Sequence, residues 1–303
     1  MRRLGTVVAV FALALVAGCG GGDDARTAGD AEPQRPPIRI GSKNFTEQAI
    51  LGELYRQALE AKGYDVVLKP DVGSTEIIHR ALRRGALDMY PEYVGVLLSE
   101  VADQRAPRSA AAAYERAKAF EKQAGFTMLA QTPFSDSNAL AVKPPFARRH
   151  RLRTIGDLRR LPGSVAIAAL PEFRTRFEGL DGLREVYDLR NLHVRAVAPD
   201  GRYRALESGA VDVASVFTTE GQLAGDDYVV LADPRGLFAS GHVAPIIDDE
   251  TLEAHGPKLR EAIDAISLAL TTPVMRRMNA AVDLGGREPA AVAAEFLRAR
   301  NLM

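Results

Sequence analysis

Two rhythms of apolar and polar positions alternate along most of this chain. Short β-type runs occupy residues 38–40, 65–69, 127–130, 139–142, 164–168, 194–196, 211–216 and 228–231. Between them, apolar residues recur every three to four positions, the spacing of a helix with one buried face. Residues 45–62 place Ile50, Leu51, Leu54, Ala58 and Leu59 on such a face, and Gly63 stands where the helix should stop. Residues 75–84 and 110–123 predict two more helices, and from residue 257 to the end the pattern is almost wholly helical. Strands alternating with helices predict an α/β architecture, mostly parallel in its sheet.

One stretch is repeated in form. Arg80 to Asp88 reads RALRRGALD and Arg204 to Asp212 reads RALESGAVD, both R-A-L-x-x-G-A-x-D. Each reads as a helix end, a glycine cap and the start of a strand. The copies fall one in each half of the alternating pattern, so they predict equivalent corners of two similar α/β lobes. Two lobes with a cleft between them suit the gripping of a small ligand.

The first residues belong to another class of sequence. Arg2 and Arg3 precede an apolar run over residues 4–17, too short to span a bilayer and suited to a signal peptide. The run ends in LVAGC, whose small residues before Cys19 resemble a bacterial lipobox; that resemblance implies cleavage before Cys19 and a lipid on its sulfur. Cys19 is the chain's single cysteine, so no intramolecular disulfide is possible. Residues 20–37 carry almost nothing to bury and predict a flexible tether. The organisation expected is therefore a signal peptide over 1–18, a tether over 19–37, one lobe from 38–139 plus 243–303, and a second from 140–242.

With 303 residues, 47% of them hydrophobic, the chain can build real cores. Its formal net charge is zero and it has no basic stripe, which argues against a nucleic-acid partner. No later apolar run is long enough for a permease. His79, His150, His193, His242 and His255 are scattered without metal-ligand spacing. There is no G-x-S-x-G elbow, no phosphate loop and no strand-linked G-x-G-x-x-G. Neither an enzyme nor a cofactor is expected.

Five segments carry a resemblance: IGSKNFTEQAILGEL from Ile40, DMYPEYVGVLL from Asp88, NALAV from Asn138, PEFRTRFEGL from Pro171 and VFTTEGQL from Val216. In this order they resemble the glycine betaine/choline/proline betaine substrate-binding proteins of osmoprotectant ABC importers, over essentially the whole chain from residue 38. The resemblance implies the two-lobed periplasmic-binding-protein fold (type II). Its two crossovers would fall near residues 139–142 and 243–246.

The same resemblance gives meaning to a lysine placed at the start of a helix, where the dipole disfavours it. If Asn44 caps the helix and Glu47 closes a capping box, the first-turn N–H groups face the cleft beside Ser42 and Lys43. An arriving carboxylate would meet all three. The resemblance assigns carboxylate contacts to Lys43 and Arg176, with Arg174 as the competitor. It places the ligand's quaternary ammonium in a cage of four tyrosines. Tyr93 matches the first, Asn138 falls at the second, Phe217 at the third and Gly241 near the fourth. Each missing ring removes roughly 0.5–2 kcal/mol. Asp136 and Asn138 stand where a ring would have been, and His242 lies beside Gly241.

The expectation is thus a monomeric lipoprotein, held on the outer face of the cell membrane or the periplasmic side. It would capture a zwitterionic, glycine betaine-like osmolyte by lobe closure and deliver it to a permease with its ATPase. An alternative ligand, suggested by the thinned cage, is a less methylated carboxylate such as an amino-acid derivative.

Overall fold

The computed structural model of the chain describes residues 35–303, apart from 108, 199, 200, 239 and 240. The signal-peptide and lipobox readings, and most of the tether, lie outside the described residues. Among the described residues, ten strands make two five-stranded sheets. The first has the order β2 (Val66–Lys69), β1 (Ile38–Gly41), β3 (Met89–Tyr93), β10 (Val243–Asp248) and β4 (Phe126–Met128). The second runs β7 (Leu192–Ala196), β6 (Val165–Ala169), β8 (Val213–Phe217), β5 (Asn138–Val142) and β9 (Val229–Val230). The α/β class holds, but neither sheet is mostly parallel. In each, two pairings are parallel and two antiparallel. The antiparallel pairings all involve β10 or β5, the two strands that begin just after the chain passes from one sheet to the other. These strands therefore enter their sheets against the direction of the βαβ units.

The two connecting segments run side by side. Ser135 and His242 form an antiparallel bridge, and Asp136 N donates to the Gly241 carbonyl at 2.9 Å. Gly241 is needed there. A Cβ at this position would lie 1.7 Å from the Asp136 carbonyl oxygen, so no side chain fits without parting the connections.

Both faces of each sheet are covered, as interiors buried on two sides require. Helix α1 (Thr46–Glu60) buries Ile50, Leu51, Leu54, Ala58 and Leu59 completely, the face its periodicity predicts. It packs with the C-terminal helices Pro257–Ala269, Thr272–Asp283 and Pro289–Ala299. Helix α2 (Thr75–Arg83) and helix Ala110–Lys122 cover the other face.

The repeated motif makes equivalent corners. Gly85 and Gly209 take φ of 64° and 70°, which glycine adopts without strain. Asp88 N donates to the Arg39 carbonyl while its carboxylate accepts from Arg39 N at 2.7 Å. Asp212 repeats the exchange with Ala166 in the second sheet, its carboxylate accepting from Ala166 N at 3.0 Å. In both copies the aspartate staples its helix–strand corner onto the neighbouring parallel strand.

One polar cluster is buried behind the first sheet. Glu121 is wholly buried with neither carboxylate oxygen hydrogen-bonded among the described residues, and His79 Nδ1 lies 3.9 Å away and 3.2 Å from the Tyr90 hydroxyl. Burial pushes Glu121 up to about 7 and His79 down to about 4, so between those values both are neutral and form no ion pair. The Glu121 contribution to stability is full below its unfolded value and is lost as pH rises through about 7. The His79 contribution runs the other way, lost as pH falls from its ordinary value through about 4. Glu121→Gln isolates the first. Its advantage in unfolding free energy over the wild type should grow from about pH 5 to pH 8, reaching up to about 3 kcal/mol. A pH-independent difference in denaturant titrations contradicts the assignment.

Candidate functional site

A cavity of about 580 Å³ opens between the two sheets and their helices. Its first wall comes from the start of α1 and from β3. Phe45 is the cap residue of α1, with extended backbone, and Thr46 and Glu47 form the first turn. The capping box expected from Asn44 and Glu47 therefore does not form. The helix starts one residue later, and Glu47 turns into the protein. Its carboxylate accepts from the Tyr93 hydroxyl at 2.8 Å and from Asn279 Nδ2 at 2.9 Å. An acidic residue in the first turn also complements the helix dipole.

Lys43 lines the cavity but is not a free cation. It is almost fully buried, its ammonium forms an ion pair with the fully buried Glu92, and it donates to Thr75 Oγ1 at 2.6 Å. Nζ also sits 4.9 Å from the centre of the Tyr93 ring. This resolves the awkward lysine at a helix start: Glu92 supplies the compensating charge from β3. Two of its three N–H bonds are committed to Glu92 and Thr75.

The second wall comes from the other sheet. Asn138 and Phe217 are directly opposed partners on β5 and β8, so the second and third cage positions are neighbours. Asn138 Nδ2 donates to Glu178 at 3.4 Å, and the Arg202 guanidinium covers Phe217 at 5.6 Å from the ring centre. Arg202 also pairs with Glu220 at 2.6 Å. Asp136, on the connection between the sheets, lines the cavity with its Oδ1 enclosed and unpartnered among the described residues. Burial pushes its carboxyl well above the usual aspartate range, and repulsion from Glu47 adds to this. Glu47 is raised as well, chiefly by burial.

The structure thus gathers Lys43, Tyr93, Asp136, Asn138, Phe217 and Gly241 around one space. It does not bring Ser42, Arg176 or His242 there. Ser42 is fully buried against Gly52 of α1. Arg176 is exposed at the start of a tight turn, and Glu178, two residues on, faces the cavity instead. Arg174 is exposed too and donates to the Val194 carbonyl. His242 Nδ1 lies 2.8 and 2.9 Å from the Thr132 and Phe134 carbonyl oxygens, holding the connection rather than the cavity.

Several lining residues escaped the sequence reading. Phe45 stacks on Tyr93 with centroids 6.1 Å apart and supplies a third ring; its place inside the SKNFTEQ motif was the available signal. Glu178 lay within a quoted segment. Asn279 and Asp283 come from helix Thr272–Asp283, 232 and 237 residues from their partners Glu47 and Thr46, and nothing local marks them. Among the described residues, no group of three or more His, Cys, Asp or Glu is arranged to hold a metal.

Arg105 stacks on Phe177 at 3.7 Å and approaches Glu185 at 4.0 Å. Asn279 Nδ2 donates to the Thr219 carbonyl and Arg276 Nε to the Thr218 carbonyl. Residues that flank the first sheet therefore touch residues that flank the second in two places.

Known proteins are similar to this chain in sequence and fold. The glycine-betaine-binding protein of Pseudomonas aeruginosa is 34% identical over 282 residues, covering 89% of this chain and 90% of that protein. The glycine betaine-binding protein YehZ of Escherichia coli is 26% identical over 278 residues, covering 88% and 91%. Its apo structure superposes with a TM-score of 0.77 at 26% identity, covering 88% of this chain and 99% of that one. A crystal structure described as a glycine betaine/carnitine/choline ABC transporter gives 0.82 at 25% identity, with coverage of 88% and 99%. Residues 36–299 match the substrate-binding domain of the ABC-type glycine betaine transport system, and the chain belongs to that family of two-lobed transport proteins.

Proposed function

We propose that this chain is the extracytoplasmic capture component of an ABC importer. It closes its two lobes on a small organic cation or zwitterion of the betaine, choline or carnitine kind. The loaded form is presented to a permease and its ATPase, and the chain acts as a monomer anchored through a lipid on Cys19. The observation that carries this reading is the cavity itself. Rings from Phe45, Tyr93 and Phe217 and carboxylates from both walls surround a space of about 580 Å³. Such a lining suits a soft cation, which ring faces and nearby negative charge both attract. Contacts from both lobes favour the closed state, because only there are all of them made together. Lys43 contributes one hydrogen bond to a polar ligand end; Arg176 is not part of the proposed site.

Two measurements test this. Calorimetric titration with glycine betaine, choline and carnitine should give one-to-one binding of at least one of them. Phe217→Ala should then weaken binding about tenfold, while Arg176→Ala changes it by less than about threefold. Absence of binding, or a reversed order of the two variants, contradicts the reading. For the anchor, Cys19→Ser should move the protein from the membrane fraction to the soluble fraction. An unchanged distribution argues against lipidation.

A further inference from the structure

We propose that the cation subsite of this cleft selects an ammonium that still carries at least one proton, a primary, secondary or tertiary amine, over a fully methylated nitrogen. The inference deepens the capture reading above and rests on it.

The first support is the charge around the cavity. Glu47, Asp136, Glu178, Glu220 and Asp283 line it, against Lys43 as the single lysine or arginine among the described lining residues. The Lys43 ammonium is already matched by Glu92. Glu220 is in turn paired with Arg202, and burial holds Glu47 and Asp136 above the usual carboxylate range, so charge alone does not distinguish amines from quaternary ammonium.

Hydrogen bonding does distinguish them. Both Glu47 oxygens have donors, from Tyr93 and Asn279. Thr219 donates to the Asp136 carboxyl, but Oδ1 itself is enclosed and has no donor among the described residues, and its residue lines the cavity. A buried acceptor without a donor is costly, and a charge-assisted bond to a carboxylate is among the stronger polar interactions available. A protonated amine supplies that N–H; a trimethylated nitrogen offers only C–H groups. Burial and the neighbouring Glu47 hold the empty Asp136 carboxyl toward its protonated form. An entering N–H cation would let it ionise.

The rings point the same way. Of the four cage positions, 138 carries an amide and 241 admits no side chain beside the Asp136 backbone. The two rings that remain each carry a protein cation nearby, Lys43 at 4.9 Å from Tyr93 and Arg202 at 5.6 Å from Phe217. Phe45 stacks on Tyr93 as well. These contacts cover part of the ring surface that three methyl groups would need.

The test is calorimetric titration of the purified protein with two series, choline, N,N-dimethylethanolamine and N-methylethanolamine, and glycine betaine, N,N-dimethylglycine and sarcosine. Exchanging the first methyl for hydrogen should tighten binding at least tenfold in one series. Asp136→Asn, nearly isosteric, should erase that gain. Trimethylated members that bind as tightly as the dimethylated ones in both series overturn the proposal and leave the capture reading standing. A gain that survives in Asp136→Asn overturns the assignment to Asp136. Failure of every compound in both series, and of carnitine, to bind overturns both proposal and reading.

Discussion

The buried ion pair between Lys43 and Glu92 is the interaction on which the arrangement of the cleft depends. Both side chains are almost wholly withdrawn from solvent, and each comes from a different strand–helix junction of the first sheet. Removing one partner of such a pair leaves an uncompensated buried charge, typically a loss of about 3–5 kcal/mol. Thr75, at the start of α2, accepts a further hydrogen bond from the same ammonium. Three segments are therefore pinned together at the floor of the cavity: the loop before α1, the end of β3 and the start of α2. The pin also sets the electrostatics. It matches the nearest positive charge, and the acidic side chains of Glu47 and Asp136 line the space above it.

Much of this fold can be read from local pattern. The buried face of α1 follows from apolar spacing, because one helix face packed on a sheet leaves little choice. The paired corners at Asp88 and Asp212 follow from a repeated motif whose glycine and aspartate have fixed tasks. The mixed direction of the sheets did not follow. Strand direction depends on where a strand is inserted, and β5 and β10 arrive from the other half of the chain.

The site was legible in proportion to how local its determinants are. Tyr93, Asn138, Phe217 and Asp136 all sit on strands or on the connection, where the motif order places them, and all face the cavity. Arg176 lies at the start of a tight turn, where one residue's rotation decides between solvent and cleft, and spacing alone does not carry that information. The role of Glu92 depends on a contact 49 residues away from Lys43, and that of Asn279 on one 232 residues from Glu47. These long-range pairings tie Lys43 into an ion pair and fix Glu47 in the cavity wall, which local spacing does not show.

The most direct measurement is the position of the bound ligand's nitrogen in a crystal structure of the complex. The account places it within about 3.2 Å of Asp136 Oδ1, hydrogen-bond distance, and against the rings of Tyr93 and Phe217. A nitrogen enclosed by rings and distant from every carboxylate, or a ligand carboxylate seated on Arg176, would contradict it.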